Sequence, residues 1–189
     1  MNTNQQAIVA TECWLRQFVL KHGLCPFAGP VVERGNYTIH VCTASDVKEL
    51  SRAVLMALDA LQSASEQVLA TSLLVFTGAL HDFDDYLAFV DHAQQLLAAA
   101  GLEGEIQLAT FHPDYCFAGE SEQAASHYTN RAPFPTLHFI REAQLERLRV
   151  GDDDSARIVA QNIDTMARIG VAQLQQQLKQ LRSEPPSAS

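Results

Sequence analysis

Apolar residues first recur at helical spacing between about Gln6 and His22, where Ile8, Leu15, Phe18 and Val19 form one stripe and Gly23 stands ready to end the helix. LCPFAGP (Leu24–Pro30), with two prolines and a glycine, predicts a turn or loop. YTIHVCT (Tyr37–Thr43) alternates as a strand does. Ser45 is a candidate cap for a helix reaching about Gln62, with Lys48 and Glu49 near its start. SLLVF (Ser72–Phe76) is apolar without interruption, the pattern of a central strand covered on both faces. A helix from about Asp82 to Ala100 follows, acidic in its first turn as the macrodipole favours, with Gly101 at its end.

A strand over Glu105–Phe111, a long segment from His112 to Pro135 and a fourth strand, TLHFI (Thr136–Ile140), come next. Helices over about Arg141–Arg149 and Asp153–Arg168 close the chain, and Gly170 separates the second from an extension spaced by Leu174, Leu178 and Leu181. Strands alternating with helices predict an α/β (or α+β) fold: about four strands in a mixed, mostly parallel sheet flanked by helices. The third and fourth strands lack a crossover helix between them, which favours an antiparallel pairing. Residues 1–181 read as a single globular domain. RSEPPSAS (Arg182–Ser189), rich in Pro and Ser, reads as a disordered tail.

The segment His112–Pro135 changes the picture. A connection of about two dozen residues is far longer than the few usual in a compact domain, so it is either functional or disordered. Tyr115, Phe117, Tyr128 and Phe134 give it enough aromatic mass to pack. It leaves the C-terminal end of a strand, where open α/β sheets place their ligands.

Net charge is −9 with Lys and Arg scattered, which argues against nucleic acid, since phosphate binding needs a basic face. No apolar run approaches the ~20 residues of a membrane span, and the N-terminal stretch has no signal-peptide pattern. The four cysteines, Cys13, Cys25, Cys42 and Cys116, form no C-x-x-C pair, as expected of free thiols in the cytoplasm. Phosphate-binding, dinucleotide-binding and nucleophile-elbow motifs are absent. Oligomeric state and cofactor are not legible.

Candidate chemistry gathers on the long segment. His112 is a candidate general acid or base, Asp114 its orienting carboxylate, and Arg131 a bidentate clamp for an anion with Asn130 beside it. Tyr115 and Tyr128 can stack on a flat ligand. Cys25 is a candidate nucleophile if a base such as His112 lies within reach; the competing reading is a small buried apolar residue. Turn chemistry around Pro113 offers an equally plain role for His112 and Asp114. The seven histidines form no H-x-H or H-x-x-x-H pair, but the loop could gather His112, Asp114, His127 and His138 around a metal. His138 and His40 otherwise read as strand histidines with one satisfied nitrogen.

LCPFA (Leu24–Ala28), FHPDYCFAGE (Phe111–Glu120) and HYTNRAPFPTLHFIRE (His127–Glu142), in this order and spacing, resemble a bacterial family known as domain of unknown function 1415. The resemblance runs from the first helix to about Gly170. The chain departs from the family pattern at Gly23, where Asn is expected, and at Cys116, where Gln is expected. The resemblance implies no activity. It implies that Leu24-Cys25-Pro26-Phe27, His112-Pro113-Asp114-Tyr115, Tyr128-Thr129-Asn130-Arg131 and Arg141-Glu142 belong to a shared pattern.

Three functions are therefore expected in order: an enzyme acting on a small anionic metabolite at a His112/Asp114/Arg131 site; a metal-binding protein using His112, Asp114 and His127; and a non-catalytic interaction module docking through the Leu174/Leu178/Leu181 row. In that third reading the long loop grips the partner and the row forms a docking or dimer helix; for the row, an amphipathic cap on the protein's own core is the simpler alternative.

Overall fold

The computed structural model describes residues 3–148 and 154–183. Strands β1 (Tyr37–Cys42), β2 (Thr71–Phe76), β3 (Ile106–Phe111) and β4 (Thr136–Arg141) form one sheet in the order β1-β2-β4-β3. β1 and β2 run parallel, while β4 pairs antiparallel with both β2 and β3. The sheet is mixed and β3 and β4 are antiparallel, as expected, but one of three pairings is parallel rather than most. Between β3 and β4 the only helical piece is a 3₁₀ turn, Ala125–Thr129. A turn that short cannot carry the chain back across the sheet, so the chain returns antiparallel.

Seven α-helices lie among the described residues: α1 (Thr3–Trp14), α2 (Ala28–Arg34), α3 (Val47–Ser63), α4 (Phe83–Ala99), α5 (Glu142–Leu148), α6 (Asp154–Ile169) and α7 (Val171–Ser183). The expected first helix is in fact α1 followed by a π-helical stretch, Leu15–Leu20, and it stops at Gly23, whose φ of +66° suits glycine. Part of the segment read as loop, from Ala28 onward, is α2. The cap of α3 is Asp46 rather than Ser45; its carboxylate accepts the Glu49 N–H at 3.0 Å. Asp82 caps α4 through the Asp84 and Asp85 amides. Of the expected tail, Arg182 and Ser183 finish α7, and 184–189 lies outside the described residues, as do Arg149 and Asp153.

β2 is buried along its whole length. On one side of the sheet α3 and α4 pack Leu50, Val54, Leu58, Tyr86, Phe89 and Leu97 against Leu74, Phe76, Leu137 and Phe139. On the other, Trp14, Leu15, Phe18, Met166, Leu174 and Leu181 from α1, the π stretch, α6 and α7 meet Leu73. Leu174 and Leu181 are thus spent on the protein's own core. No helix of the described residues is long and apolar enough to cross a membrane.

Arg141, at the end of β4, supplies what α3 lacks. Its guanidinium donates to the carbonyls of Leu61, of Ala64 at 2.7 Å and of Leu69 at 3.1 Å, around the helix C-terminus where carbonyls are unsatisfied and the dipole favours a cation. Arg141→Met, which keeps the stem and removes the donors, is expected to cost about 2 kcal/mol, read as a lowered urea midpoint.

Candidate functional site

The two ends of the long loop close on one another beyond β3. His112 N–H donates to the Asn130 carbonyl at 3.1 Å, and Ala132 N–H to the His112 carbonyl at 3.4 Å. The loop base therefore does bring His112, Asp114, Asn130 and Arg131 together. The side chains of His112, Asn130 and Arg131, however, are hydrogen-bonded to the main chain.

His112 is wholly buried. Its Nδ1 accepts the Asp114 N–H at 3.0 Å, so the proton sits on Nε2, which donates to the Leu80 carbonyl at 3.1 Å. The ring packs against Phe83 and Tyr86 of α4. Burial holds this imidazole below its ordinary pKa, against smaller upward pulls from the Leu80 carbonyl and the carboxylates of Asp114 and Asp82. The Asp114 side chain is exposed, and what Asp114 gives the ring is its backbone amide. Leu80, whose carbonyl is held, is a non-glycine residue at φ +62°. The Tyr86 hydroxyl reinforces the corner: it donates to the Thr136 carbonyl at 2.7 Å and accepts the Phe111 N–H at 3.1 Å.

His127 repeats the arrangement. It too is wholly buried; Nδ1 accepts the Phe117 N–H at 3.1 Å and Nε2 donates to the Ser121 carbonyl at 2.8 Å, with the Cys116 sulfur 3.5 Å away. Two buried imidazoles, each joining a backbone N–H to a backbone carbonyl, thus replace the regular ladder that a loop of this length does not have.

Arg131 spends its Nε–H on the Tyr115 carbonyl at 3.1 Å and lays its guanidinium over the Tyr128 ring, 4.5 Å from the centroid. Trp14 Nε1–H donates to the Arg131 carbonyl at 3.1 Å, tying α1 to the loop. Asn130 Nδ2 donates to the Thr110 carbonyl at 3.0 Å, and its Oδ1 accepts the Thr129 hydroxyl. Tyr115 packs on Phe83 and Phe117, with its hydroxyl 3.3 Å from that of Thr110.

Between this loop, the sheet, the end of α1 and α6 lies a cleft of about 500 Å³. Leu73, Ala109, Phe111, His138 and Ile140 are its sheet floor. Trp14, Leu15 and Val19 line the helical wall, the last two from the π stretch, a geometry that recurs at functional sites. Leu24, Cys25 and Ala28 form one end; Phe117, Ala118, Glu120, Ser126, Thr129 and Asn130 form the loop side. Val159, Asn162 and Ile163 make the α6 lip, where Val159 is 57% and Ile163 40% exposed. Asn162 Nδ2 anchors that lip by donating to the Leu24 carbonyl at 2.8 Å. The lining is mostly apolar. Glu120 is its one carboxylate, and it holds no Lys or Arg among the described residues.

A narrower apolar chamber of about 70 Å³ continues beneath α2, between Val31, Val32 and Tyr37, and shares Cys25 and His138 with the cleft. Burial pushes the Cys25 thiol up, while the Phe27 and Ala28 amides donate toward its sulfur and pull the other way. His138 Nε2 lies 2.6 Å from the Thr71 hydroxyl, and that hydroxyl spends its own proton on the Phe139 carbonyl at 2.6 Å. Nε2 must therefore carry the ring proton, and Nδ1 keeps its lone pair. Burial holds this imidazole down at about 4, so it is neutral near pH 7.

The structure does not bring Cys25 and His112 together: His112 faces the α4 layer, and Cys25 belongs to the opposite layer. His138, which the sequence offers as a fourth metal ligand or a strand histidine, lines the cleft instead of joining His112, Asp114 and His127. It is a strand histidine with one satisfied nitrogen, as expected, and its cleft position follows from standing directly opposite Leu73 in the β2–β4 register, on the same face of the sheet. No group of three or more His, Cys, Asp or Glu residues among the described residues could hold a metal. The expected His112, Asp114 and His127 set has its imidazoles committed to backbone groups.

Compared with known proteins, residues 6–176 match the family described as "Protein of unknown function (DUF1415)". No curated protein and no solved structure matches the chain.

Proposed function

Since the chain belongs to the DUF1415 family, we propose that the activity associated with its shared pattern resides in the cleft, which takes a small, neutral, mostly apolar molecule. One observation carries this reading. Of the three stretches that bear the family resemblance, the first lies about 80 residues before the other two, yet all three contribute to the lining of the same cavity: Leu24, Cys25 and Ala28; Phe111, Phe117 and Glu120; Thr129, Asn130 and His138. A concave, mainly apolar cavity of this size with a few convergent polar groups is the usual form of a small-molecule site. The exposed Val159 and Ile163 on its lip are covered when such a molecule sits there.

The geometry favours this reading over an anionic metabolite at His112, Asp114 and Arg131. An anion in the cleft would meet Glu120 and no cation, while Arg131 is occupied with Tyr115 and Tyr128. His112 and Asp114 are better read as a clasp that shapes the loop. The four cysteines form no disulfide among the described residues, which fits a reducing compartment, and we place the protein in the cytoplasm.

Trp14, the single tryptophan, lines the cleft and reports its occupancy. N-phenyl-1-naphthylamine, a neutral apolar fluorophore, is expected to bind the full chain with quenching of Trp14. Ile163→Glu, a change at an exposed lip position, is expected to weaken binding at least tenfold while circular dichroism is unchanged. Equal binding by both proteins, or none by the wild type, would overturn the assignment.

A further inference from the structure

We propose that Cys25 is a nucleophile toward an activated acyl group, an ester or thioester of a short apolar acid, with His138 Nδ1 receiving the thiol proton. This rests on the cleft being the ligand site and names the chemistry done there. The sulfur and the imidazole line the same two connected cavities. The Thr71 hydroxyl fixes the ring by accepting from Nε2, and among the described residues Nδ1 has no hydrogen-bond partner. A nucleophile, a base and a third group that orients the base make up the arrangement used for covalent catalysis. The chamber beneath α2, walled by Leu15, Val31, Val32 and Ile140, accepts a short hydrocarbon chain next to the sulfur.

The state of the thiol selects the reaction. Redox cysteines work as low-pKa thiolates and are commonly served by a resolving thiol. Here burial favours the neutral thiol, and Cys25 is the one cysteine lining the cleft. The attack that fits a cleft shared by Cys25 and His138 is one in which the proton leaves as the bond forms. The sulfur's electron pair makes the bond to the acyl carbon while its proton passes to Nδ1. The tetrahedral centre collapses, the bond to the leaving oxygen or sulfur breaks, and that atom takes the proton back from Nδ1. The products are S-acyl-Cys25 and a free alcohol or thiol; no oxidant or reductant enters.

The test treats the full chain with p-nitrophenyl butyrate at pH 7.5 and maps butyrylated peptides by mass spectrometry while following p-nitrophenol. Cys25 is expected to acylate at least tenfold faster than Cys13, Cys42 or Cys116 in the same molecule. His138→Gln is expected to slow Cys25 at least tenfold at that pH, with the gap narrowing as alkaline pH ionises the thiol directly. Equal labelling of the four thiols, or an unchanged Cys25 rate and pH profile in His138→Gln, would sink the proposal. Where the naphthylamine probe still binds the cleft but Cys25 shows no preference, the acyl chemistry falls and the binding reading stands. Where the probe itself fails to bind, both fall together.

Discussion

Alanine at position 78 is expected to destabilise the protein by about 4 kcal/mol or to prevent its folding, an effect at the far end of what single substitutions produce. Gly78 follows β2 and runs directly against the turn that leaves β1. A Cβ there would lie 2.0 Å from the Thr43 carbonyl oxygen, 2.6 Å from its carbon and 2.9 Å from the Ala44 oxygen. These are backbone atoms, so no rotamer change relieves the overlap. The two turns would have to separate, breaking the 3.0 Å bond from Thr77 N–H to the Cys42 carbonyl. The disturbance would pass to Leu80, whose carbonyl His112 holds. Urea unfolding of Gly78→Ala against wild type measures the loss. Gly29→Ala is the control: nothing lies within 4 Å of its Cβ position, and its stability is expected to stay level or rise slightly. A Gly78→Ala midpoint close to wild type would refute the packing argument.

Acidification should have the second large effect. His138 is held at about 4 in the folded protein, against an ordinary histidine value near 6.5. Between those values the unfolded chain binds a proton that the folded protein refuses, so stability falls as pH drops through that window. Above about 6.5 the term vanishes. At pH 4 it amounts to about 3 kcal/mol, a little short of the limiting ~3.5 kcal/mol set by the shift in pKa times ~1.4 kcal/mol per unit. His112, also held down by burial, adds loss in the same direction. Its cost has a local form as well, because a proton on Nδ1 would face the Asp114 N–H. The measurement is the urea midpoint from pH 7.5 to 4 in wild type and His138→Gln. The variant is expected to show a flatter decline, since carboxylates titrate alike in both and the histidine contribution is gone. Parallel curves would overturn the assignment of His138.

Much of the fold could be read because its determinants are local. The unbroken apolar run of β2 announces a strand covered on both faces, and Asp82 and Gly101 mark the ends of α4 by capping and by a φ of +72°. The length and aromatic content of the His112–Pro135 segment predict a packed loop, and it packs as one side of the cleft. The π stretch and α2 were hidden: Pro and Gly around Leu24–Pro30 suggest a turn, and nothing local distinguishes π from α hydrogen bonding in a helical stripe. The roles inside the site were harder still. Whether His112 offers a nitrogen to a ligand depends on main-chain groups at Leu80 and Asp114, one of them 32 residues away. Whether His138 has a free Nδ1 depends on Thr71, 67 residues away and brought close by strand register. Residue type and spacing carry neither fact.

The position of β4 also bears on how the protein is made. Among the described residues it is the last strand in sequence, yet it sits in the interior of the sheet between β2 and β3. A ribosome that has released only the first three strands has made one parallel pair and an isolated third strand, with the open edge of β2 and the facing edge of β3 both waiting. Unpaired apolar edges of this kind recruit other chains. The sheet can close only after residue 141 has cleared the exit tunnel, so until then the edges of β2 and β3 that β4 will cover stay open.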